Sequence, residues 1–307
     1  MGTLVGIALC VGNKRAVATA PSESEPTGIM TFADPAMQAL CAKTWGDGTN
    51  ITYEQAREVT EIPKNWAKGN TTITSFNEIK YFKNCRTIGA SAFERCSSMA
   101  LTSLELPQCT SIGETAFERC SSMALTSLEL PQCTSIGNYA FNGCSSMALT
   151  SLELPQCTTI GAYAFNGCPL LSEITFQNVT TVGSQAFRGS TIAKIKLPSV
   201  ETMAASSNYD GIFSYCKNLV LVDLGENCSS IGNESLGRYV GTSGNNITII
   251  CRASTPPSLG GAIINKSWVY ATIGEIYVPD ESVEAYKTAT NWSAYANKIL
   301  PLSQYKG

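Results

Sequence analysis

The residues best suited to chemistry in this chain are its thirteen cysteines. Thiols can bridge, bind zinc or attack a substrate, and the spacing decides which. Cys85, Cys109, Cys133 and Cys157 recur at one interval, and Cys96, Cys120, Cys144 and Cys168 at the same interval. No CxxC pair occurs, so zinc is not indicated. The chain contains no histidine, which removes imidazole base catalysis, Ser-His and Cys-His nucleophiles and histidine-ligated metal centres. Carboxylates are scattered or laddered, nothing marks a glycosidase-type pair, and "LGG" at Leu259 to Gly261 lacks the lysine of a phosphate-binding loop. The reading is therefore of no enzyme, no cofactor and no metal.

The cysteines follow a larger pattern. "CSSMALTSLELPQCTSIG" runs from Cys96 to Gly113, returns unchanged from Cys120 to Gly137, and returns again from Cys144 to Gly161 with Thr159 replacing a serine. A period in the range of 20 to 29 residues with regular leucines is the mark of a leucine-rich solenoid, whose units bury their apolar faces only by stacking. Phe93, Phe117, Phe141 and Phe165 hold one phase, followed by Phe187, Phe213 and then Leu236 in "SIGNESLG". In such a stack the cysteines form columns of small buried groups, so free thiols are favoured over bridges. Each unit supplies a strand in "LTSLELP", with Leu104 and Leu106 inward and Ser103 and Glu105 outward, then a shorter extended piece in "CTSIG" and a turn-like or helical "ETAFERC".

These units predict a leucine-rich repeat solenoid, mainly parallel β with short helical turns, of seven or eight coils. The expected divisions are a leader-like or extended segment over 1–28, a helical N-terminal cap over 29–80, the solenoid over 81–250 and a strand-and-helix cap over 251–307. In the front cap Asp34 with Pro35 and Thr52 with Gln55 signal two helix starts. In the rear cap Asp280 signals a third, and an aromatic helix follows near Asn291. The opening "MGTLVGIALCVGNKRAVATAPSES" has a short apolar run, but its basic pair follows that run, which makes an export signal atypical.

The unit "LTSLELPQCTSIGETAFERCSS" resembles the BspA-type leucine-rich repeat, over roughly Tyr81 to Val240. The tail "IYVPDESVEAYKTATNWSAYANKILPL" is similar to the end segment of such proteins from gut-dwelling bacteria. The resemblance implies a cell-surface or secreted bacterial protein that binds a host or bacterial surface protein or a glycan. It also implies a front lid that often carries an acidic, calcium-type loop. Here "WGDGTNITYEQA" keeps Asp47, Gly48 and Glu54 but lacks the early acidic ligands, and a plain turn is preferred.

With 21 basic and 24 acidic residues, the net charge of -3 gives no reason to seek nucleic acid, and no apolar run is long enough for a membrane-spanning helix. The expected role is non-catalytic recognition by a monomer. The expected ligand surface is the outward strand face: Ser103, Glu105, Ser127, Glu129, Ser151, Glu153, Glu173, Thr175, Lys194 and Lys196. Three glutamates in register would carry mild strain, relieved by a basic ligand. Duplication of one harmless glutamate is the favoured explanation, since exposed charges of this type cost little. Arg95 is placed to meet Glu118 across coils, and Asn142 and Asn166 read as turn residues. Insertions in "ETMAASSNYDGIF" and "GRYVGTSGNN" are alternative recognition loops. The competing role is a structural or scaffold component, such as an appendage or a particle-associated phage-like tail protein.

Overall fold

The structure, a computed structural model, describes residues 25–205, 210–242, 244, 246–264 and 272–307. Most of the leader-like segment, and parts of both insertion loops, lie outside the described residues. The chain winds into a solenoid with three sides. One side is a parallel sheet of nine two-residue strands, from Glu61–Ile62 through Ser111–Ile112 and Ser135–Ile136 to Ser258–Leu259, each paired with the strand one coil away. Nine coils therefore stack in this sheet, against the seven or eight expected. The first of them, at Glu61–Ile62, lies before residue 81.

The second side carries the longer strands, among them Ser103–Glu105, Ser127–Glu129, Ser151–Glu153, Glu173–Thr175 and Lys194–Leu197. The third side consists of hydrogen-bonded turns without helix. It too is laddered: Ser91, Phe93 and Arg95 donate their N–H groups to the carbonyls of Glu114, Ala116 and Glu118 on the next coil. On the short-strand and turn sides each coil thus hands its backbone groups to its neighbour, which removes the penalty of burying them.

Identical phase in sequence becomes a column in space. The six phenylalanines in phase from Phe93 to Phe213, Phe176 being out of phase, are fully buried, with successive ring centroids 5.1 to 5.9 Å apart and near-parallel planes. Leu236 is buried at the same phase. The twelve described cysteines are free and buried. Cys120 and Cys144 donate to the carbonyls of Phe93 and Phe117 on the preceding coil, at 3.0 and 3.1 Å. Each thiol thus adds a second hydrogen bond to a carbonyl that already accepts an N–H within its own turn. Glycine closes seven of the nine short strands because the coils meet there: a Cβ on Gly137 would lie 2.6 Å from the Glu114 nitrogen.

Helices α1 (Pro35–Trp45) and α2 (Tyr53–Glu58) cover the front. Asp34 caps α1 through a 2.9 Å bond from the Met37 N–H, and Thr52 with Gln55 forms the capping box of α2. Trp66 meets Phe93 edge-on at 5.6 Å and so ends the phenylalanine column. At the rear, strand Thr272–Val278 leads to helix α3 (Val283–Thr288) and a 3-10 helix, Trp292–Lys298. Asp280 does not cap α3. It lies in a separate 3-10 turn, and its carboxylate accepts the Ser303 N–H at 3.0 Å. Trp292 is buried, donates to the Pro257 carbonyl at 2.8 Å and packs on Tyr286.

Candidate ligand-binding surface

The sequence places ten side chains on the outward face of the longer strands, and the backbone register sorts them. Ser103 lies beside Ser127 and Glu105 beside Glu129. Ser151 lies beside Glu173 and Glu153 beside Thr175. Lys194 and Lys196 pair with Leu221 and Asp223. Only two of the three glutamates are therefore in register. Glu153 is separated from Glu129 by a break in the sheet, so the expected triple ladder is a pair plus one. At a strand spacing of about 4.8 Å, the Glu105–Glu129 pair repels by roughly 1 kcal/mol in water. Ser127 offsets part of this by donating to the Glu129 carboxylate at 3.2 Å.

The sheet on this side is not continuous. It divides into Ser103–Glu105 with Ser127–Glu129, Ser151–Glu153 with Glu173–Thr175, and a five-stranded remainder that starts at Lys194–Leu197. Each break is a groove. The first, of about 390 Å³, is walled by Ser127, Glu129, Ser151 and Glu153. The second, of about 720 Å³, has Glu173 and Thr175 on one lip, Lys194 and Lys196 on the other, and Ile174, Phe176 and Pro198 among its lining. The second break coincides with shortened coils: Thr181 follows Thr159 by 22 residues and Thr202 follows Thr181 by 21.

The face ends beyond Lys196, where Arg252 grips Asp223 with two bonds of 2.8 Å. Asp223 is largely buried, and its hydrogen bonds hold the guanidinium still more firmly protonated. Further along, Leu221, Ile250 and Tyr277 turn outward but are covered by Leu300, Leu302 and Tyr305. The tail thus folds over the outer face as well as over the end of the stack. Neither the breaks nor this cover has a signal in the repeats. The shortened coils were the one clue available.

Other expected sites resolve locally. Arg95 faces Glu94 at 3.7 Å, Arg119 faces Glu118 at 3.7 Å, and Lys68 takes Glu94 at 2.8 Å, so Arg95 does not reach Glu118 with its side chain. Asp47 accepts the N–H groups of Thr49 and Asn50 at 2.8 and 2.6 Å, and these bonds lower its pKa. Glu54 is held by the Gly28 N–H and by Arg57. Both carboxylates are engaged in turn and cap contacts. Among the described residues, no three histidine, cysteine, aspartate or glutamate side chains cluster to hold a metal ion. No helix among them is long and apolar enough to cross a membrane.

The arrangement offers charged and apolar contacts along a regular face and no paired acid and base. Among solved structures, the chain is similar to a leucine rich cell surface protein from Faecalibacterium prausnitzii A2-165, at 18% identity over 70% of this chain and 83% of that one, with a TM-score of 0.30. It is similar to a leucine-rich repeat protein from Bacteroides ovatus ATCC 8483, at 17% identity over 79% and 87%, TM-score 0.30. It is also similar to an internalin from Listeria monocytogenes str. 4b F2365, at 14% identity over 88% and 75%, TM-score 0.27. Scores this low carry no argument. No curated protein matches the sequence significantly. The BspA type leucine rich repeat region matches in six copies over residues 60–156 and 145–251. Those residues span more than half of the sequence, and the chain belongs to the BspA-type leucine-rich repeat family.

Proposed function

We propose that this chain is a non-catalytic recognition protein, displayed at the bacterial surface or secreted, that binds a surface protein through the outward strand face. Proteins of this family are generally binding scaffolds, which supports the class of function but not the ligand. The observation that carries the reading is the order of charge along one face. Glu105, Glu129, Glu153 and Glu173 precede Lys194 and Lys196, with grooves of about 390 and 720 Å³ interrupting the row. A partner with basic groups over the first coils and an acidic group over the later ones gains at each step, and weak contacts add along the stack.

The test is binding of the purified chain to an immobilised set of host matrix proteins and bacterial surface proteins, at low and high salt. The expected result is a salt-sensitive partner whose affinity falls roughly tenfold for Glu105→Gln with Glu129→Gln and Glu153→Gln, and similarly for Lys194→Gln with Lys196→Gln. A partner bound equally well by both variants would rule out this face.

A further inference from the structure

The repeats themselves show which side of the molecule has been remodelled. Residues 96–119, 120–143 and 144–167 are three copies of one unit. From the first copy to the second, Asn138 stands in place of Glu114, Tyr139 of Thr115, Asn142 of Glu118 and Gly143 of Arg119. From the second to the third, Thr159 stands in place of Ser135 and Ala162 of Asn138. All but the Thr159 change fall on the turn side. Unselected drift would also have altered the exposed serines, glutamines and glutamates elsewhere in the unit, and apart from Ser135, which is Thr159 in the third copy, those are unchanged. From the first copy to the second the direction is consistent as well: charge is removed, and tyrosine, amide and glycine stand there, which the third copy keeps except for Ala162.

In the structure these replacements form one continuous strip. The Tyr139 and Tyr163 rings stack at 4.5 Å with planes 10° apart, and Gln185 donates to the Tyr163 hydroxyl. Beside them Asn142 donates to Glu118 at 3.3 Å and Asn166 donates to Asn142 at 2.8 Å, an amide ladder that locks both side chains. The Asn166 Oδ1 atom, next in the ladder, is buried and accepts no hydrogen bond. Gly143 and Gly167 occupy the left-handed positions held by Arg95 and Arg119 in earlier coils, so these two positions place no side chain of their own over the ladder, and the Arg119 side chain borders it at Gly143. A Cβ on Gly167 would meet nothing within 4 Å. The strip ends at Arg188, which is paired to Asp210 at 3.2 Å and lies over the Tyr215 ring.

The chemistry of this strip suits hydroxyl groups. A primary amide donates and accepts at once, as a sugar hydroxyl does, and a phenol edge adds a further donor and acceptor. Loss of the Glu, Glu and Arg charges removes the desolvation cost that a neutral ligand cannot repay. The ladder and the stacked rings are fixed in advance, so little side-chain entropy is lost on binding. Successive coils repeat at about 4.8 Å, comparable to the length of one sugar residue in an extended chain, so like contacts can recur along the axis. We propose that the turn side from Tyr139 to Arg188 binds a neutral, linear oligosaccharide running along the solenoid, with Asn142 and Asn166 as its floor and the Tyr139 and Tyr163 edges as its wall. The site is separate from the strand face and does not depend on it.

The repeats supply variants that the fold already accepts. Asn138→Glu, Tyr139→Thr, Asn142→Glu and Gly143→Arg convert the second copy into the first. Ala162→Glu, Tyr163→Thr, Asn166→Glu and Gly167→Arg do the same for the turn side of the third, which keeps Thr159. The full chain is titrated with di- to hexasaccharides of the cello-, xylo-, manno- and laminari- series, with tyrosine-ring resonances and calorimetry as readouts. The expected result is binding by at least one series that strengthens with length, ignores salt, shifts the Tyr139 and Tyr163 signals, and falls at least about tenfold in the converted chain. Tyr139→Phe with Tyr163→Phe, which keeps the rings, falls severalfold. The proposal is overturned if no series binds, if the converted chain binds as the parent does, or if Glu105→Gln with Glu129→Gln and Glu153→Gln abolishes sugar binding instead.

Discussion

Replacing Phe141 tests how far the columns hold this molecule together. The ring is fully buried between Phe117 at 5.2 Å and Phe165 at 5.3 Å, with interplanar angles of 7° and 11°. Truncating a buried phenylalanine to alanine costs about 3–5 kcal/mol. Phe141→Ala removes two ring contacts, each worth about 0.5–1.5 kcal/mol, which puts it at the upper end, about 4–5 kcal/mol. Phe141→Leu keeps most of the volume and loses only the ring contacts, about 1–2 kcal/mol. Leu236 shows that leucine fits this phase. Among the described residues Phe213 stacks only on Phe187, at 5.9 Å, so Phe213→Leu costs about half as much as Phe141→Leu. The assay is urea unfolding read by far-ultraviolet circular dichroism, which sees the strands, and by fluorescence of the four tryptophans, of which Trp45, Trp66 and Trp292 lie near the two ends and Trp268 lies outside the described residues. The parent unfolds with coincident transitions. In Phe141→Ala they separate, because a stack coupled only through neighbours is cut at its middle. A cost below about 1 kcal/mol for Phe141→Ala with coincident transitions would refute the reasoning.

Two further perturbations address single groups. Asp34 is buried, which pushes its pKa up, but bonds from Thr74 and from the Met37 N–H outweigh burial and hold it below the usual range. A carboxyl whose folded pKa is depressed stabilises above the unfolded value, near 3.9, and loses that contribution as pH falls through the folded value. Asp34→Ala should therefore cost about 2–3 kcal/mol at pH 7, and the gap to the parent should close below about pH 4; a gap unchanged with pH contradicts this. Burial pushes Cys85, Cys96 and Cys133 up to about 11 and Cys109 and Cys157 up to about 12. At pH 8 the folded chain should show at most one thiol to Ellman's reagent, Cys10 lying outside the described residues, and all thirteen after unfolding. Early reaction of several would mean that the columns open.

The solenoid was legible because duplication wrote it three times: any residue type fixed in phase had to be a column, and Phe117, Cys120 and Leu104 are. The helix starts at Asp34 and Thr52 were legible because a cap is a local hydrogen bond between near neighbours. Asp280 misled for the same reason, since its partner, Ser303, is remote in sequence. The strand face was legible residue by residue but not as a surface. Alternation predicts which way Glu129 and Glu153 point, whereas the break between them depends on how two coils of the same strand sequence settle against each other. Asn142 and Asn166 read as turn residues because each sits before a glycine. Their ladder exists only between coils, and the signal that could have found it was the contrast between copies, not the content of any one copy.

Both proposed surfaces exist only if successive coils stack in register. The short-strand side offers a direct ruler: Thr110, Thr134, Thr158 and Thr180 each donate a hydroxyl to the carbonyl of the residue one coil back, and Ser229 does so to Glu201. Nitroxide labels on cysteines introduced at Thr110 and, in turn, at Thr158, Glu201 and Ser229 can be measured by pulsed electron resonance. The separations should grow by about 4.8 Å per coil, reaching roughly 24 Å between Thr110 and Ser229 before the label arms are added. Separations that fail to increase from one position to the next would contradict the stacked solenoid and every surface built on it.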